Sequence, residues 1–413
     1  MIRTHIVPCK LPRERCDELN LNSGRIYSNI VSRHWRLLKQ KSLWLSQKSL
    51  TKLSDLRLED KDLPMHAHTI DAAQQGFFKA CDTTHALRKA GISANFPWRS
   101  KKFRTTVWKN TGIRHRDDAL TLSAGRGREP ITFRLPENLR DVLRFVEVRL
   151  VFNRRSSSYD WHIVVENGKQ PKESPGCNVV SVDLGEVHPA VVGDEHEATI
   201  ITCRELRHAK QGHDKRMSTM SRALSRKAKG SRRYKRLVKS KSRMKAKYEQ
   251  VVRDMEHKIS RAIVDVAVAL KANTIVIGDV RDAADKVALG NVTNQKLSGW
   301  SHGKIRNYTE YKGIEEGIAS KLQQEAYTTQ HCPCCGHRHK PRGRNYRCPA
   351  CRFQSHRDVV GQINILSLWR HGVVGKLLPA TDVKHRIPHN LRVMRRRADT
   401  PQDLACSSAV AYA

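Results

Sequence analysis

Apolar and polar positions alternate in some stretches of this chain and recur at helical spacing in others. Val146, Val148, Leu150 and Phe152 alternate with mostly polar neighbours, a polar turn covers 154–159, and Trp161, Ile163 and Val165 resume the alternation. That pattern predicts a β-hairpin. Ahead of it, residues 1–11 read as a short strand. From Pro12 to about Gly91, apolar residues three and four apart (Tyr27, Ile30, Val31, Trp35, Leu38) predict helix, with further helical stretches at 50–58 and 69–90. Lys, Pro, Gly and Ser at 167–177 mark a linker. Beyond it, the run Val179–Val182 ends in Asp183-Leu184-Gly185, and the run Thr274–Ile277 ends in Gly278-Asp279. Both have the length and β-branched content of buried strands. Between them lie two short strands near 190–192 and 198–201. A basic helical region then runs from about Arg204 to Leu270, with Tyr234, Val238, Tyr248, Val251, Met255, Ile259 and Ile263 on one stripe. A helix near 300–316, a strand at 326–329 and a last helix starting near Asp358 complete the pattern. After about Leu378 the chain is basic and unpatterned, which predicts a loosely ordered tail.

Charge narrows the partners. The 413 residues carry 77 Lys and Arg against 40 Asp and Glu, a formal +37. A surplus of that size repels itself unless a polyanion shares the surface. No apolar run approaches the ~20 residues that span a bilayer, and the N-terminus lacks the apolar stretch of a signal peptide. The expectation is a cytoplasmic, nucleoid-associated protein without a membrane partner. The run 222–247 is dense in Lys and Arg, which gives strong, salt-sensitive, sequence-blind affinity for phosphates. Trp98, Phe103, Trp108 and Tyr159 have the chemistry to stack on bases, although such residues belong more often to a core.

The cysteines carry the most specific motif. Of eleven, Cys332, Cys335, Cys348 and Cys351 form two C-x-x-C knuckles with twelve residues between them. Two thiolates on each of two tight turns make a tetrahedral site suited to zinc, and four protein ligands leave no open position, so the ion is structural. Cys334, inside the first knuckle, and the neighbouring His331, His337 and His339 are not needed as ligands. The second signal is a pair of carboxylates at element ends, Asp183 and Asp358. Acidic groups distant in sequence can converge on two Mg²⁺ ions roughly 3.5–4 Å apart for phosphodiester hydrolysis. The blander reading makes them turn and helix caps. The element order, an Asp-ended strand, two short strands, helix, strand, helix, strand and an Asp-bearing helix, is the RNase H-like α/β layout.

The run Val182-Asp183-Leu184-Gly185, the strand 275–277, Tyr308-Thr-Glu310-Tyr311-Lys312, Thr328-Thr329-Gln330, the paired knuckles and His356-Arg357-Asp358-Val359-Val360-Gly361 occur in that order. The chain here resembles TnpB, the transposon-encoded RNA-guided DNA nucleases, and their descendants, the compact type V CRISPR effectors. The resemblance is specific over about 179–369 and looser before it. It implies a wedge β-barrel (1–11 and 94–170) carrying a helical recognition insertion (12–93). A RuvC nuclease core (171–325) follows, then a target-nucleic-acid-binding zinc ribbon (326–355), the last RuvC helix (356–378) and a basic tail (379–413). It also implies a guide RNA, a double-stranded DNA target beside a short flanking motif, catalytic Mg²⁺ and structural Zn²⁺. The family triad is Asp, Glu, Asp, its Glu ending the second buried strand, and that place here is Gly278. The adjacent Asp279 points to the other face of the strand. Glu310 on the next helix is the expected replacement, giving Asp183, Glu310 and Asp358, with Glu315 in reserve. The alternatives are a guided DNA binder with a degenerate, inactive RuvC site and an unguided structural nucleic-acid protein.

Overall fold

A computed structural model describes residues 2–54, 65–125, 127–280, 290 and 299–388. The chain forms two compact units, Met1–Gln170 and Pro171–Ala413, which divides it inside the linker.

In the first unit β1 (Ile2–Pro8) pairs antiparallel with the distant β7 (Ser158–Glu166), which pairs with β6 (Arg144–Asn153), which pairs with β2 (Thr106–Lys109). A second antiparallel sheet holds β3 (Ile113–Arg116), β4 (Ala119–Leu122) and β5 (Ile131–Arg134). One core of Trp108, Leu120, Leu122, Val148, Leu150, Trp161 and Ile163 draws on both sheets, a barrel-like arrangement. Helices α1 (Arg13–Lys41), α2 (Gln47–Ser54) and α3 (Ala67–Lys89) are inserted between β1 and β2. They bury Tyr27, Ile30, Leu50, Phe77 and Cys81 among themselves. Part of the stretch 50–58 read as helical lies outside the described residues. Of the four aromatics singled out above, Trp108 and Tyr159 are core, whereas Trp98 and Phe103 are 61% and 48% exposed.

The second unit is built on a six-stranded sheet. It contains β8 (Asn178–Asp183), β9 (Ala190–Gly193), β10 (Glu197–Ile201), β11 (Ala272–Asp279), β12 (Ala319–Gln324) and β15 (Asp382–Arg386), in the order β12-β11-β8-β9-β10-β15. β9 runs antiparallel to both its neighbours, β8 and β10, while β11 and β12 are parallel to β8. The basic region is two helices, α4 (Arg204–Ser225) and α5 (Arg232–Ala269). Met255, Ile259 and Ile263 of α5 share a core with Val180, Val182, Ile275 and Ile277 of the sheet. In α5 no residue before Val252 is buried, although Tyr248 and Val251 still pack against that core, and the lysines and arginines ahead of Tyr248 face largely outward. The last helix, α7 (Arg357–His371), covers the opposite face, where Ser181 Oγ donates to the Gln362 carbonyl at 2.7 Å. Helix α6 (His302–Glu315) precedes β12, and the ribbon strands β13 (Asn345–Arg347) and β14 (Gln354–His356) precede α7. Among the described residues no helix is long and apolar enough to cross a membrane.

Two expectations need correction. The strand expected at 326–329 lies at Ala319–Gln324, and Thr328–Gln330 is a 3₁₀ turn. β12 is a sheet edge with no buried residue, so its polar sequence, Ala-Ser-Lys-Leu-Gln-Gln, carries no apolar signal. The tail does not begin at 379 either, because β15 adds to the free edge of β10 in parallel, Glu197 opposite Asp382 through Ile201 opposite Arg386. Main-chain bonds and two ion pairs, Lys384 with Glu197 at 2.6 Å and Arg386 with Asp265 at 3.0 Å, hold a strand that apolar periodicity does not announce. Residues 389–413 lie outside the described residues.

Candidate metal centre

Strand parity places the first carboxylate. Val180 and Val182 point into the core shared with α5, so Ser181 and Asp183 point to the α7 face. Helix α7 meets them with Asp358 in its first turn and Gly361 one turn on, on the same helical stripe. A Cβ built on Gly361 lies 2.4 Å from Asp183 Oδ2. Only a glycine there lets the Asp183 carboxylate settle against the helix beside Asp358. The two expected carboxylates therefore come together.

Glu310 does not join them. It is exposed on α6, where Tyr308 stacks on His257 at 4.1 Å and Lys312 Nζ reaches Ser260 Oγ at 2.7 Å, so the helix's inward contacts go to α5. The carboxylate that faces Asp183 is Glu325, one residue past β12. In register, Ile277 opposes Val182 and Gly278 opposes Gln323. Position 278 is thus level with Asp183, and residue 325 has the parity of 323 on that same face. A Cβ built on Gly278 lies 1.8 Å from Glu325 Oε2 and 2.9 Å from Ile365 Cδ1 of α7. The missing side chain at 278 is therefore the space into which Glu325 reaches from the neighbouring strand. Misplacing the edge strand by several residues hid Glu325, and a third carboxylate beside a strand-end glycine was the signal that could have found it.

The electrostatics are those of crowded, buried carboxylates. Burial first, then the Asp358 carboxylate, push Asp183 up to about 7, against the opposing pull of Arg357 and Arg344. Burial, Asp183 and Asp279 push Glu325 up to about 9. Its Oε2 is buried without a hydrogen-bond partner. Asp358 is gripped by Arg344 of the ribbon, whose Nη1 lies 2.8 Å from Oδ1 and 2.5 Å from Oδ2. Clustered, desolvated oxygens with an orphaned acceptor suit hard divalent cations. Both carboxyls hold protons more tightly folded than unfolded, where they titrate near about 4. Their deprotonation therefore favours the unfolded chain: the contribution is most favourable below about pH 4 and is lost as pH climbs through about 7 and about 9. We expect the midpoint of thermal unfolding in chelator to fall between pH 6 and 9 relative to an Asp183→Asn/Glu325→Gln variant, and millimolar Mg²⁺ to abolish the difference. Parallel curves in chelator would contradict the raised titrations.

Four thiols form a separate cluster. Cys332 and Cys351 Sγ are 3.6 Å apart, as are Cys335 and Cys348 Sγ. The four ligand atoms all lie within 4.8 Å of one another. A tetrahedron with metal–sulfur bonds of about 2.3 Å has edges of about 3.8 Å, so the knuckles fit such an ion. Cys334 and His337 are exposed, His331 and His339 are half-buried, and all four lie outside the cluster.

Comparisons with known proteins bear on this layout. A family model described as "Cas12f1-like, TNB domain" matches residues 302–365, and one described as "Probable transposase", OrfB of the IS605 type, matches 162–284. A TnpB-like protein of Methanocaldococcus jannaschii is 27% identical over 117 residues, 28% of this chain and 41% of that protein. The Escherichia coli K12 protein named "Putative RNA-guided DNA endonuclease InsQ" is 25% identical over 225 residues, 50% of this chain and 53% of that protein. The matched part thus spans about half, or less, of these relatives. Among solved structures, a Cas12f1–sgRNA–target DNA complex superposes with a TM-score of 0.63 at 13% identity, over 86% of this chain and 82% of that one. The RuvC-containing α/β fold with its zinc-ribbon-like cluster is the shared architecture.

Proposed function

Since the chain belongs to the TnpB and compact type V effector family, we propose that it is an RNA-guided DNA endonuclease cutting at Asp183, Glu325 and Asp358. Glu325 takes the part expected of Glu310. The observation that carries this reading is the overlap between the Glu325 carboxylate and the space of a side chain at Gly278. A centre degraded by loss of the strand-end Glu would have left that space empty or apolar; here a second strand refills it with the same functional group.

The three carboxylates would hold Mg²⁺, which when bound activates water and stabilises charge on the attacking and leaving oxygens. The chain's own part is to hold three mutually repelling groups in place. β8 fixes Asp183, Gly361 admits it, and the end of β12 delivers Glu325. Arg344 and Arg357 lie against Asp358. From there their guanidinium groups would be within reach of a scissile phosphate brought to the carboxylates. The exposed lysines and arginines of α4 and α5 provide the salt-sensitive surface for a guide RNA paired with a DNA strand. The four cysteines would bind zinc, with no position left for substrate.

Purifying the protein with the RNA of its host and presenting plasmid with a matched target tests the reading. Mg²⁺-dependent strand cleavage is expected. A defined bound RNA with target binding but no nicking would instead establish the guided binder. We further expect Gly361→Ala to slow cleavage about tenfold or more, since its methyl group must displace Asp183, while target binding in a gel shift stays within about twofold. Unchanged cleavage would mean that the Asp183 position seen here is not the working one.

A further inference from the structure

Asp358 has a second set of neighbours that the carboxylate centre does not use. His188, His356 and Asp358 each present one ligand atom, and these atoms all lie within 4.8 Å of one another. They come from two places, the turn after β8 and the junction of β14 with α7. His188 sits in the turn after Asp183, which Gly185 folds so tightly that a Cβ there would lie 2.5 Å from the His188 carbonyl oxygen. His356 ends the ribbon strand β14, and Asp358 opens α7. The two rings stand edge to face, 5.6 Å between centroids.

We infer that His188, His356 and Asp358 form a distinct cation site that takes a first-row transition ion, zinc above all, on two imidazole nitrogens and one carboxylate oxygen. The donor set decides the ion: Mg²⁺ prefers oxygen and water, whereas imidazole suits zinc and its neighbours. His188 Nδ1 lies 3.3 Å from Thr202 Oγ1, so a proton donated there leaves Nε2 its lone pair, the outer-shell arrangement of metal-ligating histidines. His356 Nδ1 accepts the Asp358 amide proton at 3.3 Å. Ligation through its other nitrogen moves the ring proton to Nδ1 and gives up that long cap. With three protein ligands the ion keeps an open position, unlike the ion of the cysteine site.

The same carboxylate is held by Arg344 through both oxygens. An ion on Asp358 must displace that guanidinium, so Arg344 competes with the metal, and an ion held here withdraws Asp358 from the carboxylate centre. Only this last consequence rests on the nuclease reading; binding itself does not.

The test is equilibrium dialysis of the full chain against ZnCl₂ with its cysteine site already loaded, followed by metal analysis. Wild type is expected to retain a second equivalent of zinc. His188→Ala and His356→Asn, the latter keeping a capping side chain, should hold the first equivalent and bind the second about a hundredfold or more weakly, since even outer-shell changes cost 10–100-fold. Arg344→Gln should bind the second more tightly than wild type. In cleavage with Mg²⁺, added zinc should inhibit wild type and inhibit His188→Ala less. A single equivalent in wild type, or a second one undiminished in both histidine variants, overturns the site. Two equivalents in a protein that never cleaves would leave the site standing and remove the nuclease reading.

Discussion

Glu325→Gln should abolish most target cleavage, by about a thousandfold, with guided binding retained, while Glu310→Gln cleaves within about twofold of wild type. The size follows from removing one charge-bearing group from a preorganised polar centre, typically about 10²–10³ in rate. The direction of the stability change is equally diagnostic. Glu325 ionises only at a cost, burial and two acidic neighbours having raised its titration to about 9. Glutamine removes that cost, so the inactive variant should melt higher than wild type in chelator, the trade expected of a side chain kept for function. A swap sharpens the test. Gly278→Glu alone collides with the Glu325 carboxylate and should be poorly active. Gly278→Glu combined with Glu325→Ala returns a carboxylate to the same pocket from the neighbouring strand and should recover part of the lost rate. Single-turnover cleavage of a matched plasmid by the guide-loaded protein measures all four. A dead Glu310→Gln beside an active Glu325→Gln would reverse the assignment.

How much of this the sequence discloses depends on where each residue gets its signal. Asp183 and Asp358 close elements whose apolar patterns are strong: a buried strand rich in valine and a helix whose residues 358–367 are all buried. The cysteine knuckles are legible because spacing within a turn is local information. Glu325 is the opposite case. It follows an edge strand with one neighbour and solvent on its other side, so β12 has no reason to be apolar. Glu325 faces Asp183 across the intervening β11, and such register is set by main-chain pairing that no periodicity encodes. β15, also an edge strand, is silent on the same grounds. Gly278 reads as a loss in the sequence, but a glycine says only that its own side chain is absent, and the neighbouring backbone decides what fills the space. The aromatic residues divide likewise. Trp108 sits on an alternating strand and Tyr159 opens one, and both are core. Trp98 and Phe103 lie in an irregular stretch whose exposure no pattern foretells.

Removing the ion from the cysteines should have the other large effect. Cys348→Ser, or prolonged chelation, is expected to release the zinc and lower cleavage about a hundredfold or more, whereas Cys334→Ser should change neither. Cys332, Cys348 and Tyr346 pack with Val360 of α7 in a small core, too little apolar surface to hold a ribbon whose thiols repel once ionised. Structural zinc contributes about 10–16 kcal/mol of apparent binding energy in small zinc-finger peptides at neutral pH, and such units unfold without it. The loss reaches the metal centre by short routes. Arg344, between the knuckles, grips Asp358. His356, which ends β14, caps the amide of Asp358. Asn364 of α7 donates to the carbonyls of Thr328 at 2.8 Å and His331 at 2.9 Å, tying the helix to the segment that leads from Glu325 into the first knuckle. A freed ribbon therefore loosens two of the three carboxylates at once. The sheet's own core, the α5 stripe on β8 and β11, includes none of these residues, so circular dichroism should report a folded protein and the main unfolding transition should persist. Retained zinc and an unchanged cleavage rate in Cys348→Ser would show that the four thiols are not the ligand set and that the ribbon stands on its own packing.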